Sequence, residues 1–508
     1  MKGLIANRII PLVVVVLALA GAAGLAGLRH SVTVAADSSA APPPAVAVSE
    51  QVRACPAAGM AGSPGAGVAL VASSLATGSG RAVVSRIGPA SSTPLHTLTR
   101  PGVWSQLAVR PASGSRSPSK TTHAASNTPS PAPAGHVATV PVAGGVVVQA
   151  RAAMASGLEV EQVPAGGRAS ARCESPGTDF WFAGPGRYSV PRIQVFLLNI
   201  DSQPAVVNVE AFTDAGPLQG GTDTGIAVAP HSMVAQSLGK ILRGSRVIAL
   251  HIRTSVGQVV AAAMETRGTS RIGAWLPAAQ TPATRVFVPG LPATPGTRQL
   301  YVAVPGTKDA RVTLSAITSR GTYQPTAGGA LDVPGGSAIA ISLSSLSGIP
   351  GALRISANVP VIASVMLPGG PRGAPGVFSA NSWPIQQQGV VAYNGSGAGQ
   401  SSELVLSASG HAVRARVSVI GAGGPVGKDQ VVQIKARHSK VVQLGRSSGS
   451  HRRSNFAIVI TPLAGSGPLY AGRVLMHGGV IQSILPVESA LMRVPLPSVQ
   501  NALIAPAR

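Results

Sequence analysis

The sequence predicts an all-β chain of tandem sandwich modules, of immunoglobulin or fibronectin type, behind an N-terminal transmembrane helix. Three observations carry this. First, a twelve-residue pattern occurs three times: Ala205-Val-Val-Asn-Val-Glu-Ala-Phe-Thr-Asp-Ala-Gly216, then Ala310 to Gly321, then Val413 to Gly424. Each copy alternates apolar and polar residues and ends in glycine, as a half-buried strand entering a turn does. Second, the same strands surround each copy in the same order. A strand precedes it (Ile193–Leu198, Leu300–Val304, Leu404–Ala408), and a turn and strand follow through Ser232, Ser337 and Ser439. A last pair closes each unit: Val247–Ile252 with Gln258–Met264, Ala352–Ile355 with Val361–Met366, and Phe456–Ile460 with Leu469–Leu475. Third, the alanine-rich stretches are broken by glycine, proline and β-branched residues, which disfavours helices. Small barrels are the alternative architecture.

The elements follow in order. In residues 1–30, Lys2 and Arg8 precede an uncharged run from Ile9 to Leu28, and Arg29 closes it. As a helix this run would span about 30 Å, enough for a bilayer core. Val34-Ala35-Ala36 offers a signal-cleavage site as the alternative. Either way the positive end stays inside and the rest is exported. Residues 31–54 form a Pro/Ala-rich stalk containing Pro42-Pro43-Pro44. Residues 55–185 form a degenerate β module, with strands at Val68–Ala72, Arg81–Arg86, Val146–Gln149 and Leu158–Gln162. Its insertion, 111–139, is low in apolar side chains and is expected to be disordered. Modules at 190–270, 298–368 and 401–480 follow, then a tail at 481–508. Period-2 patterning sends Val207, Val312 and Ala415 inward, with Val209, Leu314, Val417, Ala211, Ala316 and Val419 on the same face.

The 508 residues carry 40 Lys+Arg against 16 Asp+Glu, a formal +24. That balance suits anionic partners. Export removes nucleic acid from them and leaves anionic wall polymers or lipid head groups. Cys55 and Cys173 are the two cysteines, and outside the cytosol an even count favours a disulfide. The pair would tie the ends of the degenerate module together.

The segment Cys173-Glu-Ser-Pro-Gly-Thr-Asp179-Phe-Trp181-Phe-Ala-Gly, with the early Cys55-Pro56 and Gly273-Ala-Trp275-Leu-Pro, resembles a family of large exported proteins from high-GC Gram-positive (actinobacterial) bacteria. That family is known only as a domain of unknown function. The resemblance implies an envelope location and no activity. Its members tend to carry an acid before the tryptophan, where this chain has Ala274.

Candidate sites are few. Gly445-Arg-Ser447-Ser-Gly449 matches a nucleophile elbow but has no helical pattern after it, so a flexible loop is expected. Phe180, Trp181, Phe182 and Tyr188 could form an aromatic platform for sugars, or pack at the junction of the first two modules. Glu159 and Glu161 share one strand face and, with Glu174 and Asp179, are the only local concentration of carboxylates; a solvated face is the expectation. No histidine pair has metal-ligand spacing, and no cofactor is expected. The strongest bias is basic: residues 401–478 carry ten Lys/Arg against Glu403 and Asp429. Within them, Arg414, Arg416, Lys435, Arg437, Lys440, Arg452 and Arg453 form a candidate polyanion-binding face. The expected function is a non-enzymatic exported cell-envelope protein with a scaffolding or surface-interaction role. The alternatives are an anionic wall-polymer or glycan-binding accessory protein and, third, a hydrolase. Oligomeric state stays open.

Overall fold

Alternation along the strands becomes one buried face and one wet face. Val207, Val312, Ala415, Val209, Leu314, Val417 and Ala316 are all buried. Ala211 and Val419 are half-buried. The glycines that end the three patterns, Gly216, Gly321 and Gly424, have φ of 105°, 114° and 112°. Only a residue without a Cβ adopts these values cheaply, which is why each copy ends in glycine.

The computed structural model describes residues 45–495, except 57–66, 73–74, 89–93, 111–138, 142–144, 165–168, 189–191, 219–223, 240–241, 243, 268–272, 326–328, 371–373, 397–398 and 445–454. The expected membrane helix, most of the stalk, the insertion, the Gly445–Gly449 loop, Arg452 and Arg453 therefore lie outside the described residues. Among those described there is no α-helix, and no helix long and apolar enough to cross a membrane.

The strands form four sandwiches, I to IV, on one plan. In sandwich II one sheet runs Asp179–Pro185, Val247–Val256, Ala205–Thr213, Gly216–Pro217, with Ile226–Val228 also on Ala205–Thr213. This is its opening sheet, since it contains the module's first strand. The opposite, closing sheet runs Ser232–Ser237, Arg192–Asn199, Val260–Thr266, Gly273–Leu276. Sandwich IV repeats the plan: Gly389–Asn394, Phe456–Pro462, Val413–Gly421 and Gly424–Pro425 face Ser439–Leu444, Gln400–Ala408, Leu469–His477 and Val480–Val487. In sandwich III the continuous 18-residue strand Gly351–Pro368 serves both sheets. It pairs with Ala283–Leu291 and Ala310–Thr318 on one side and with Arg298–Ala303 and Gly376–Ala380 on the other. Sandwich I opens with Glu50–Cys55, Val146–Ala152, Gly80–Arg86 and His96–Leu98, and closes with Trp104–Arg110, Gly67–Val71, Glu159–Val163 and Ala171–Arg172.

Two sequence expectations change. Each of sandwiches II to IV has a further strand on either side of the recognisable repeat. Asp179–Pro185 thus opens sandwich II instead of ending sandwich I, Glu50–Cys55 is a strand and not stalk, and Val480–Val487 is a strand and not tail. Moreover, the strand order is not that of immunoglobulins, where the first strand lies beside the second. Here the first strand lies on the opposite sheet from the second.

Residues 46–494 form one compact unit, and its sandwiches close on themselves. The opening sheet of each packs on the closing sheet of the next. Ala54 and Val147 of I meet Phe196, Leu198 and Trp275 of II. Trp181, Ala183 and Ala249 of II meet Tyr301, Ile362 and Phe378 of III. Phe287 of III stacks on Tyr470 of IV at 4.0 Å between ring centroids. The opening sheet of IV then returns to the closing sheet of I, where Val390, Ala392, Tyr393 and Val459 pack on Ala69, Val71 and Val163. The result is a head-to-tail ring of four.

Candidate functional site

The closing sheets of all four sandwiches present their last strands to one place. A cavity of about 30 Å³ is lined by Ser170 of I, Trp275 of II, Phe378 of III and Ile484 of IV, among others. A second cavity, about 60 Å³, shares Ser170, Trp275 and Ile484 and lies between I, II and IV. Its apolar wall includes Phe182, Leu276, Pro277, Leu485 and Pro486; Gln162, Arg172, Glu174 and Glu488 are polar. With its amide oriented to satisfy its neighbours, Gln162 donates to the Pro56 carbonyl (2.8 Å) and accepts from Trp275 Nε1 (3.1 Å).

Around this cavity the chain buries charge. Glu159 and Glu161 are 3% and 1% exposed, not a solvated face. Their strand, Glu159–Val163, lies inside the closing sheet of I, and sandwich IV covers it. Arg53 Nη2 lies 3.1 Å from Glu159 Oε1, and Arg172 Nε 3.1 Å from Glu159 Oε2. Arg172 Nη1 reaches Glu488 Oε2 of sandwich IV at 2.9 Å, while Gln280 Nε2 donates to Glu488 Oε1 at 2.6 Å. Glu161 pairs with Arg473 of sandwich IV, whose Nη1 also donates to Ser483 Oγ at 2.7 Å. Burial pushes the Glu161 carboxyl up, and Arg473 opposes it. Burial alone would pull Arg172 down, but the facing Glu159 and Glu488 carboxylates outweigh it and hold the guanidinium charged.

Glu174 stands apart. It follows Cys173, and its backbone exchanges hydrogen bonds with Ala54, N to O at 3.1 Å and O to N at 2.9 Å. The adjoining Cys55–Cys173 disulfide joins the opening and closing sheets of I, with Cα atoms 4.6 Å apart. Burial, then the Glu488 charge, push the Glu174 carboxyl up to about 7, against the pull of Arg172 and Arg53.

The other candidates fall elsewhere. Trp181 and Phe182 are both buried, so they are no exposed platform. Trp181 packs towards III, while Phe182 lines the second cavity with Pro56, Ala171 and Glu174 of I, where the first two modules meet. Trp181 stacks on His251 (3.7 Å between centroids), whose Nε2 and Nδ1 face Asp179 (3.2 Å) and Glu210 (3.0 Å). Tyr188 alone of the four aromatics is exposed, beneath Arg246. Ala274 is buried. Among the described residues no group of three or more His, Cys, Asp or Glu is arranged to hold a metal.

Arg414 and Arg416 point outward from Val413–Gly421, opposite Gln433 and Val431 of the neighbouring edge strand. Arg416 Nε lies 3.6 Å from Asp429. Lys435 and Arg437 occupy the turn after that strand and are exposed. Lys440, on the other sheet, donates from Nζ to the Gln433 carbonyl at 3.4 Å. Thr322 Oγ1 of sandwich III donates to the Arg437 carbonyl at 3.1 Å, so this turn also touches the III–IV seam.

Residues 125–445 match DUF5719, a family of unknown function. The chain belongs to this family. The match begins within sandwich I and ends in sandwich IV, so the DUF5719 region covers much of the ring. No curated protein matches the chain. Sequence reasoning missed Arg53, Arg172, Arg473 and Glu488. Their signal was faint: charges at alternate positions of strands flanked by apolar residues fit a wet face equally well when the covering module is unknown.

Proposed function

We propose that this DUF5719 protein is a non-enzymatic, exported component of the cell envelope that serves as a rigid interaction scaffold. The observation that carries the reading is the ring itself. Its first sandwich is pinned by a disulfide, which suits an oxidising compartment. Its buried carboxylates Glu159 and Glu161 and the half-buried Glu488 face guanidinium groups that join sandwiches. On this reading the run Ile9–Leu28 anchors the chain in the membrane or is removed as a signal, and the ring stands outside.

A second reading, binding of an anionic wall polymer or lipid head groups, is favoured by Arg414, Lys435, Arg437 and Lys440. They are exposed around one edge of sandwich IV, and among the described residues none of them is in an ion pair with a carboxylate. Purified protein incubated with wall fractions and anionic vesicles tests both. Saturable binding that weakens steeply with salt supports the second reading, and the variant R437S/K440S/R452S/R453S should lose it with an unchanged thermal transition. Salt-insensitive capture of another surface protein supports the scaffold. Turnover of a wall substrate by the purified chain would contradict both.

A further inference from the structure

The edge of sandwich IV that carries exposed cations also exposes apolar side chains. Beyond Val413–Gly421 lie Gly424–Pro425 and Gln430–Ile434, and every residue from Pro425 to Val431 is exposed. Val426 is 44% exposed and Val431 49%. Val431 stands directly opposite Arg416 in the ladder, so the two side chains share the outer face of the sheet. Sandwich I covers that face at Ile420, Ala457 and Val459 and leaves Arg414, Arg416 and Val431 in solvent. The module plan does not require this. In III the counterpart of Arg414 is Arg311, opposite Asp332, whereas Arg414 stands opposite Gln433. Thr313 of III stands opposite Ala330, where IV sets Arg416 opposite Val431. In II the counterpart of Val426 is Leu218; their amides donate to the matching carbonyls of Val419 and Ala211. Leu218 packs against the core of II, and Val426 is left outside that of IV. Apolar residues exposed singly are ordinary, but two on one cationic tip mark a contact surface.

We propose that this tip, Val426, Lys428 and Val431 backed by Arg414, Lys435 and Arg437, docks the ring on an anionic phospholipid surface. The inference deepens the second reading above, rests on it, and chooses between its two partners. A hydrated wall polymer would satisfy the cations and gain nothing from the valines. A bilayer takes both: the valines enter the boundary between head groups and acyl chains while the cations meet the phosphates. The long stems of Lys428 and Arg416 keep their charges at head-group level as the valines enter. Asp429, the acid at the tip, faces Arg416 Nε at 3.6 Å, which offsets its repulsion from the lipid. The remaining cations are held in place. The turn that carries Lys435 and Arg437 is fixed where Thr322 Oγ1 donates to the Arg437 carbonyl at 3.1 Å and the Ala408 amide to the His438 carbonyl at 2.9 Å. Lys440 leans across from the other sheet to the Gln433 carbonyl, which brings its ammonium to the same edge.

A fluorophore at the tip tests this. Gly423 has open space where a side chain would stand, and the two native cysteines are bonded to each other, so Gly423→Cys takes a polarity-sensitive label without displacing a neighbour. The labelled full-length protein is reconstituted into vesicles of phosphatidylcholine, with or without phosphatidylglycerol, carrying a quencher on the acyl chains. The label reads the tip alone, whatever the N-terminal run does. With phosphatidylglycerol its emission should shift to the blue and be quenched; in phosphatidylcholine alone, or in about 0.5 M salt, it should do neither. Val426→Ser/Val431→Ser should lose most of the shift and the quenching, yet bind soluble inorganic polyphosphate as the parent does, since its cations are intact. A label on Ala215→Cys, the matching exposed hairpin position of II, should stay unquenched throughout. Polyphosphate binding without quenching by lipid would overturn this inference and leave the second reading standing; failure with both would overturn both. Undiminished quenching in the valine variant, or equal quenching at Ala215→Cys, would also overturn the inference, because contact would not pass through the tip.

Discussion

At the scale of single residues, the molecule depends on charges that the solvent does not see. Arg473 is 0% exposed and faces Glu161 at 1%. Removing one partner leaves an uncompensated charge, which typically costs about 3–5 kcal/mol. Arg473→Met should therefore lower the denaturant midpoint sharply, whereas Glu161→Leu with Arg473→Met should recover most of the loss. Equal destabilisation in the single and double variants would mean that the pair contributes packing alone. Glu174 gives a pH signature of known sign. Its carboxyl is raised from 4.5 to about 7 in the folded chain, so between those values the folded state holds more protons than the unfolded one. Its contribution to stability is thus complete below about pH 4.5 and is lost as pH rises through 7. Glu174→Gln should flatten the decline in stability between pH 5 and 7.5, measured by urea unfolding at each pH. An unchanged slope would place the titration elsewhere.

At the scale of elements, the strands were legible and the partners that cover them were not. Val207, Val209 and Leu314 declare an inward face by period alone, and Gly216, Gly321 and Gly424 mark the turns. The even cysteine count anticipated the disulfide. The opening strands Asp179–Pro185, Ala283–Leu291 and Gly389–Asn394 escaped, because a strand covered on both faces loses its alternation. Glu159 and Glu161 misled for the related reason that period 2 says which residues share a face, not whether that face is wet. The candidate site was legible in part, through Pro56, Glu159, Glu161, Cys173, Glu174, Phe182 and Trp275, but the arginines and Glu488 that complete it carried no distinguishing signal of their own. Two predictions belong here. Cys55→Ser with Cys173→Ser should cost about 2–5 kcal/mol, seen as a lower thermal midpoint that reductant produces in the parent but not in the variant. At the III–IV seam, a Cβ on Gly472 would lie 2.3 Å from the Gly290 Cα, backbone against backbone. Gly472→Ala should cost about 1–3 kcal/mol by forcing the sheets apart, whereas alanine at Gly423, which has open space, should be nearly neutral at the same thermal midpoint.

At the scale of the whole molecule, a repeat that a linear string of modules would satisfy is used to build a closed ring. Each of the first three seams joins sandwiches adjacent in sequence. The fourth, between IV and I, joins residues between 288 and 349 positions apart through Trp104 Nε1 to the Ala392 carbonyl, Asn455 to Gln106, and the Glu161–Arg473 pair. Closure buries the charged cluster and creates the axial cavities, so the candidate site exists only in the ring. The most direct test of closure is a cross-link across that fourth seam. The Asn455 amide nitrogen donates to Gln106 Oε1 at 2.9 Å, and the two native cysteines are already bonded to each other. The variant Gln106→Cys/Asn455→Cys, treated with a short bismaleimide under dilute, non-reducing conditions, should give a monomeric product with peptides 106 and 455 joined in near-quantitative yield. Single-cysteine controls should give none. Absence of the intramolecular product, or joining only between separate chains, would contradict the ring.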